Sequence, residues 1–280
     1  MLFTLSEKRN ETLLLEWSGE ITDRHAQDFC DVCNAVFYDH FDLDYMRRKY
    51  YEPNIYGKSF IVVIYKDNKP IAAQGAWRND LDGKIAFQLC DFVTLPEARK
   101  GGYILDLSHY ITEEIRKYFP EAIIYGYPGE MAYRICIASG SIVTEHYAHI
   151  FTGTNSHFLE NIPVIDDMYA ETFMLKRKNV FMHEINGQCY LLDAVRIKRI
   201  IPAKIFLGKV SAETGRKFRR CSTFGLCIYH SPDKGKVFGN KRMYRSNITY
   251  PDSHAHEEGY VLPLYKADGY SIDFNGRNKH

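Results

Sequence analysis

Residues 90–107 read Cys-Asp-Phe-Val-Thr-Leu-Pro-Glu-Ala-Arg-Lys-Gly-Gly-Tyr-Ile-Leu-Asp-Leu: an apolar strand, a proline break, a basic turn with paired glycines, and the opening of a helix. A helix that begins straight after a strand presents unpaired backbone N–H groups at the positive end of its dipole. A turn without bulky side chains lets a phosphate approach them. Arg99 and Lys100 add charge-assisted contacts. The order of these residues predicts a strand–turn–helix unit that cradles a pyrophosphate. Neither a Gly-Lys-Ser/Thr run nor a ribose-binding acidic signature accompanies it, which separates it from nucleoside triphosphate and dinucleotide sites.

With 280 residues, 45% of them hydrophobic, the chain has material for a core and for two domains. No apolar run reaches the roughly 18 residues of a membrane helix, and the first ten residues lack a basic-then-apolar leader, so no membrane partner and a cytoplasmic location are expected. Seven scattered cysteines do not make a disulfide framework and fit a reducing compartment. The net charge of +1 conceals a division. Residues 1–150 carry 16 Lys/Arg against 22 Asp/Glu, and residues 151–280 carry 20 against 13. Most of the positive charge lies in residues 176–245, with 17 basic and 4 acidic side chains.

Periodicity orders the first half as follows: a strand at 12–17, helices at 22–37 and 45–51, strands at 59–65 and 70–77 joined by Lys66-Asp67-Asn68-Lys69, and a strand at 84–95. A helix at 102–119, a strand at 122–127, a helix at 130–138 and a strand at 141–151 complete it.

Val-x-x-Pro-Glu followed by Arg99-x-x-Gly102-x-Ile104 resembles motif A of the GCN5-related N-acetyltransferase (GNAT) superfamily, whose usual text is Arg/Gln-x-x-Gly-x-Gly/Ala, with Ile104 departing from it. The order of elements matches that fold too. Tyr125-Gly126-Tyr127-Pro128 and the helix ending at Gly140 resemble the family's strand and helix after motif A. The resemblance implies an α+β fold: a central mixed, mostly antiparallel sheet with a V-shaped splay, joined to a smaller β-rich C-terminal domain. It also implies acetyl-CoA or another acyl-CoA as co-substrate and an amine as acceptor. Pantetheine would lie along Phe92, Val93 and Thr94, with an oxyanion contact near Thr94, and the pyrophosphate over Arg99, Lys100, Gly101, Gly102, Tyr103 and Ile104. Tyr133 on the following helix is a further cofactor contact. Where many relatives carry a tyrosine acid, this chain has Cys136. Tyr127, Asp91 and His146 are the other candidates for handling the proton, although alternation along the strand turns Asp91 away from the side to which Gln88 and Cys90 point.

Other groupings favour packing or solvation. Cys30-x-x-Cys33 lies within an amphipathic helix, and Cys221, Cys227 and His230 lack a fourth ligand. His254-Ala255-His256-Glu257-Glu258 follows Pro251 as a polar loop, so no metal is expected.

Residues 169–178 resemble the strand that closes many GNAT domains, which divides the chain into residues 1–178 and a basic, β-rich segment at 179–280. In the latter, strands are expected at 180–185 and 189–192 around Asn186-Gly187, and at 223–229 and 242–249, with 200–210 strand or helix. Phe206, Phe218, Phe224, Tyr229, Phe238 and Tyr244 interleave with the basic residues, a pattern suited to nucleic acid bound through phosphates and stacking. The same charge also suits an anionic small substrate, the acidic half of the chain, or plain solvation. Three functions follow: acyl transfer to a small amine such as an amino sugar, acyl transfer to a nucleic acid or an amine bound to one, and a GNAT-like scaffold without catalysis.

Overall fold

The computed structural model describes residues 1–37, 41–138, 140–152, 159–197, 201–221, 226–232, 242–249 and 262–267. Twelve strands form one sheet in the order β1-β2-β3-β4-β5-β6-β12-β7-β11-β10-β9-β8. They are β1 (Leu2–Ser6), β2 (Glu11–Trp17), β3 (Phe60–Lys66), β4 (Lys69–Arg78), β5 (Ala86–Thr94), β6 (Ile123–Gly126), β7 (Ile142–Thr152), β8 (Val180–Ile185), β9 (Gln188–Ile197), β10 (Ile201–Val210), β11 (Leu226–Ser231) and β12 (Arg242–Thr249). The helices are α1 (Asp23–Val36), α2 (Leu43–Met46), α3 (Tyr103–Tyr118), α4 (Glu130–Ala138), α5 (Asp167–Tyr169) and α6 (Ala212–Gly215).

Local chemistry accounts for the element ends. The β3–β4 hairpin turns on Asp67 and Asn68, and the β8–β9 hairpin on Asn186 and Gly187, all four at positive φ as a two-residue hairpin turn requires. Thr22 caps α1 by accepting from the His25 N–H. Helix α1 buries Ala26, Phe29, Cys30, Val32 and Cys33 against one face of β3–β5, together with Met46 and Tyr50. Helix α3 buries Tyr103, Leu107, Ile111 and Ile115 against the other face.

One expectation, the closing strand at residues 169–178, is corrected. Residues 167–174 are helical, α5 running into a π-helical turn at Ala170–Met174, with Tyr169, Ala170 and Met174 facing the core at helical spacing. They do not close the sheet. That place belongs to β12, which lies antiparallel between β6 and β7 and pairs Asn247 with both Gly126 and Val143. The sheet therefore does not end at residue 178: β8–β11 continue it from the far side of β7.

The second half of the sheet repeats the plan of the first. In both, a short helix capped by an aspartate (Asp42, Asp166) accepting from the N–H of a tyrosine three residues on (Tyr45, Tyr169) runs into a five-residue π turn. Three antiparallel strands then lead, through a helix, to a fourth strand parallel to the third: β3-β4-β5-α3-β6 and β8-β9-β10-α6-β11. Strands β7 and β12 form the seam between the halves.

Candidate active site at the splay

β5 and β6 pair in parallel from Ala86↔Ile123 to Leu89↔Gly126, and there β6 stops while β5 runs on to Thr94. Among the described residues no strand covers residues 90–94 on that side. The Leu95 N–H is bonded to the Ile71 carbonyl on the β4 side, so alternation turns the N–H and C=O of Phe92 and Thr94 toward the opening. An extended amide chain laid there would find the donors and acceptors that a strand finds at a sheet edge.

The opening leads into the turn singled out by sequence. Pro96–Gly101 is a 3-10 turn, and Gly102 adopts φ +77, the left-handed conformation in which glycine avoids the strain of a side chain, before α3 begins at Tyr103. Arg99 and Lys100 are exposed beside it. Tyr103 contributes only backbone here: its ring is buried and its hydroxyl donates to the Glu11 carboxylate. The first-turn N–H groups of α3 thus face a basic, open turn.

Behind the opening, Asp91 departs from the expected orientation. β5 is bulged opposite Gln74, with Ala73 paired to Val93 but Gly75 paired to Cys90. Asp91 takes φ +52, and the extra residue cancels the alternation. Cys90 and Asp91 consequently face the same partner. The Tyr50 hydroxyl donates to Asp91 Oδ2 at 2.7 Å and lies 3.1 Å from Cys90 Sγ. The same oxygen accepts from Tyr45 at 2.7 Å and from Lys49 Nζ at 2.8 Å. Burial alone would raise this carboxyl, but the Lys49 charge and the hydrogen bonds from Lys49, Tyr50 and Tyr45 outweigh it and hold Asp91 below its ordinary value. Gly75 admits the tyrosine, since a Cβ there would stand 2.0 Å from the Tyr50 oxygen. Asp91 is thus an ionised anchor tying the α2 turn to the bulge. Lys49, Tyr45 and Tyr50 escape sequence reading because the contact depends on the bulge. The Tyr45/Lys49 spacing of one helical turn is its only local signal.

The remaining candidates divide. Tyr133 on α4 carries the Arg245 guanidinium over its ring at 3.8 Å, and Arg245 in turn pairs with Glu145 at 3.1 Å. Cys136, also on α4, is half-buried, and burial pushes its thiol up, so it stays protonated at neutral pH. The Tyr127 hydroxyl donates to the Pro263 carbonyl at 2.8 Å.

His146 is not brought to the opening. It lies on β7, which β6 and β12 separate from β5. It is fully buried, stacked on Tyr244 at 4.2 Å, with Nε2 2.7 Å from Ser246 Oγ. Burial holds it down to about 4.

Cys30 and Cys33 are buried in α1, and burial raises both thiols. Cys227 and His230 belong to opposite faces of β11, Cys227 packing with Tyr190 and Phe206 while His230 lies 6.2 Å from His146. Among the described residues no group of three or more His, Cys, Asp or Glu side chains is placed to hold a metal ion. The residues 254–258 lie outside the described ones. No helix among the described residues is long and apolar enough to cross a membrane.

No family model matches the sequence, and no curated protein matches it. Solved structures do. A GCN5-related N-acetyltransferase from Kribbella flavida is 14% identical, with 89% of this chain and 73% of that one covered, at a TM-score of 0.53. One from Anabaena variabilis is 11% identical over 85% and 73%, also at 0.53. A conserved protein of unknown function from Enterococcus faecalis, described as a probable N-acyltransferase, is 10% identical over 86% and 73%, at 0.51. The likeness is one of fold: the chain has a GNAT-like fold, and the shared part extends well beyond residue 178 into the half without recognisable sequence motifs.

Proposed function

We propose that the chain is an acyl-CoA-dependent N-acyltransferase, with acetyl-CoA as donor and a small amine, such as an amino sugar, as acceptor. The observation that carries this reading is the edge of β5 at Phe92 and Thr94, which no strand covers among the described residues, leading directly into the basic turn and the left-handed Gly102 at the start of α3. In this reading Phe92 and Thr94 offer main-chain groups to a pantetheine arm, and the N–H near Thr94 donates to a thioester oxygen as it gains charge. Arg99, Lys100 and the α3 N-terminus suit a pyrophosphate.

Attack by the amine forms the C–N bond and breaks the thioester C–S bond; the expelled thiolate takes up a proton, and the proton that leaves the nitrogen restores the donor. Cys136, kept as a thiol by burial, is the donor this reading favours. Asp91, committed to three donors, fixes the shape of the bulge beside the reacting carbonyl.

Calorimetry with acetyl-CoA tests the reading. The folded chain should bind it. Replacing Arg99 and Lys100 together by alanine should weaken acetyl-CoA about tenfold or more, at roughly 1 kcal/mol per charged contact, and leave acetyl-pantetheine unaffected. Folded protein that binds no acetyl-CoA would overturn the proposal. Unaltered turnover in Cys136→Ala would remove the cysteine from the chemistry.

A further inference from the structure

The far end of the sheet carries a different chemistry from the splay. Strand β8 is its last strand, and residues 219–221 run alongside it: the Met182 N–H donates to the Arg219 carbonyl at 2.8 Å, and the Cys221 N–H to the Met182 carbonyl at 2.9 Å. This brings the turn at 216–220 against the turn at 176–178. Seven basic side chains meet there. Lys217 pairs with Glu171 at 2.7 Å and Arg177 lies 3.8 Å from Asp193. Lys176, Lys178, Arg216, Arg219 and Arg220 are exposed, and none has a carboxylate within ion-pairing distance among the described residues.

Concentrated like charge at an edge costs free energy unless something neutralises it. One of these cations is also held in place before any partner arrives. The Arg219 guanidinium lies over the Phe181 ring at 4.7 Å and donates through Nη2 to the Lys178 carbonyl, and among the described residues no other acceptor meets its N–H fork. A fixed planar fork suits phosphate oxygens. A bilayer is disfavoured, because no large apolar side chain is exposed between the two turns, Leu175 lying at their margin. Of the aromatics named from sequence, Phe206 and Phe218 are buried in cores, Tyr229 and Tyr244 lie on β11 and β12 away from this edge, and Phe224 and Phe238 lie outside the described residues. The exposed cations of this edge suit recognition of a phosphate backbone, which needs no readout of bases.

We propose that the β8 edge, through Lys176, Lys178, Arg216, Arg219 and Arg220, is a docking surface for the phosphate backbone of a nucleic acid. Six strands separate it in the sheet from β5, which leads into the phosphate turn at residues 96–102, so the two act independently.

The test is fluorescence anisotropy of the full chain with a labelled 20-nucleotide single strand and a labelled duplex of the same length, from 50 to 200 mM salt. Binding should weaken steeply with salt, as counterion release requires. Arg216→Glu/Arg219→Glu/Arg220→Glu, all at exposed positions, should lose at least tenfold in affinity and reduce the log–log salt slope by about 2 to 3. Arg99→Ala/Lys100→Ala should bind the oligonucleotides as the parent does. The triple variant should bind acetyl-CoA like the parent, so failure here is distinguishable from failure of the acyltransferase reading. No oligonucleotide binding at 50 mM salt, parental affinity in the triple variant, or binding to phosphatidylglycerol vesicles but not to oligonucleotides would each overturn the proposal.

Discussion

The two halves of the sheet meet the same geometric situation and resolve it differently. In each, the third strand of an antiparallel meander parts from a parallel neighbour just before a bulge, and among the described residues no strand of the sheet continues beside it there. In the second half the chain fills the gap itself. Residues 163–165 lie along β10, the Lys209 N–H donating to the Pro163 carbonyl at 2.7 Å and the Ile165 N–H to the Lys209 carbonyl at 2.8 Å. Ile165 is buried against Gly208, where a Cβ would stand 2.2 Å from its side chain. The helix that follows is the four-residue α6 instead of the sixteen-residue α3. In the first half no strand among the described residues covers residues 90–94 on the β6 side, and the basic turn and a long helix N-terminus follow. Buried peptide groups need partners. The closed splay shows what satisfies such an edge, an extended segment with amide spacing, and the proposed function assigns the other edge to a ligand of that kind.

The bulges sharpen the contrast. The second carries buried Phe206 and Leu207, whereas the first carries Asp91 with three donors on one oxygen. Asp91→Ala leaves Lys49 buried without its counterion and should cost about 3–5 kcal/mol by urea unfolding. Adding Lys49→Met should recover much of that loss. If Asp91→Ala alone is neutral, the two bulges are equivalent packing features and the anchor is not needed.

The seam between the halves should be sensitive to acid. His146 and His230 face each other across β7 and β11. Burial holds His146 down to about 4, and burial followed by the neighbouring His146 and His149 holds His230 down to about 3. Both folded values lie below the ordinary 6.5, so the unfolded chain takes up these protons first. The stability is complete above pH 6.5 and is lost as the pH falls through the folded values. For His146 alone the loss by pH 4 is on the order of 3 kcal/mol. Unfolding followed from pH 7 to 4 should show the decline, and His230→Phe should flatten it. An unchanged slope in that variant would mean that the seam is held by other groups.

Gly208→Val should dislodge the segment 163–165 and cost about 1–3 kcal/mol in denaturant, with acetyl-CoA affinity preserved, because the closed splay is not the ligand's. A parallel loss of acetyl-CoA affinity would show the two splays to be coupled.

Much of the fold is readable from local signals. The turn at Arg99 to Gly102, the Asp67-Asn68 and Asn186-Gly187 hairpins and the Thr22 cap each act within a few residues. Where several parts of the chain compete for one place, local signals mislead. The apolar run around Tyr169 reads as a strand, yet Asp166 caps it as a helix, and the matching Asp42-x-x-Tyr45 was the available hint. Which strand settles beside β6 is decided by long-range pairing between Gly126 and Asn247. The same choice moves His146 two strands from the opening. The orientation of Asp91 depends on a bulge that the even alternation of a strand conceals.

Amide hydrogen exchange tests the central claim most directly. Without ligand, the Lys209 N–H, bonded to Pro163, should exchange slowly, while the Phe92 and Thr94 N–H groups exchange fast. Acetyl-CoA should slow Phe92 and Thr94 and leave Lys209 unchanged. Slow exchange at Phe92 and Thr94 without ligand, or no response to saturating acetyl-CoA, would contradict an open splay that receives the acyl donor.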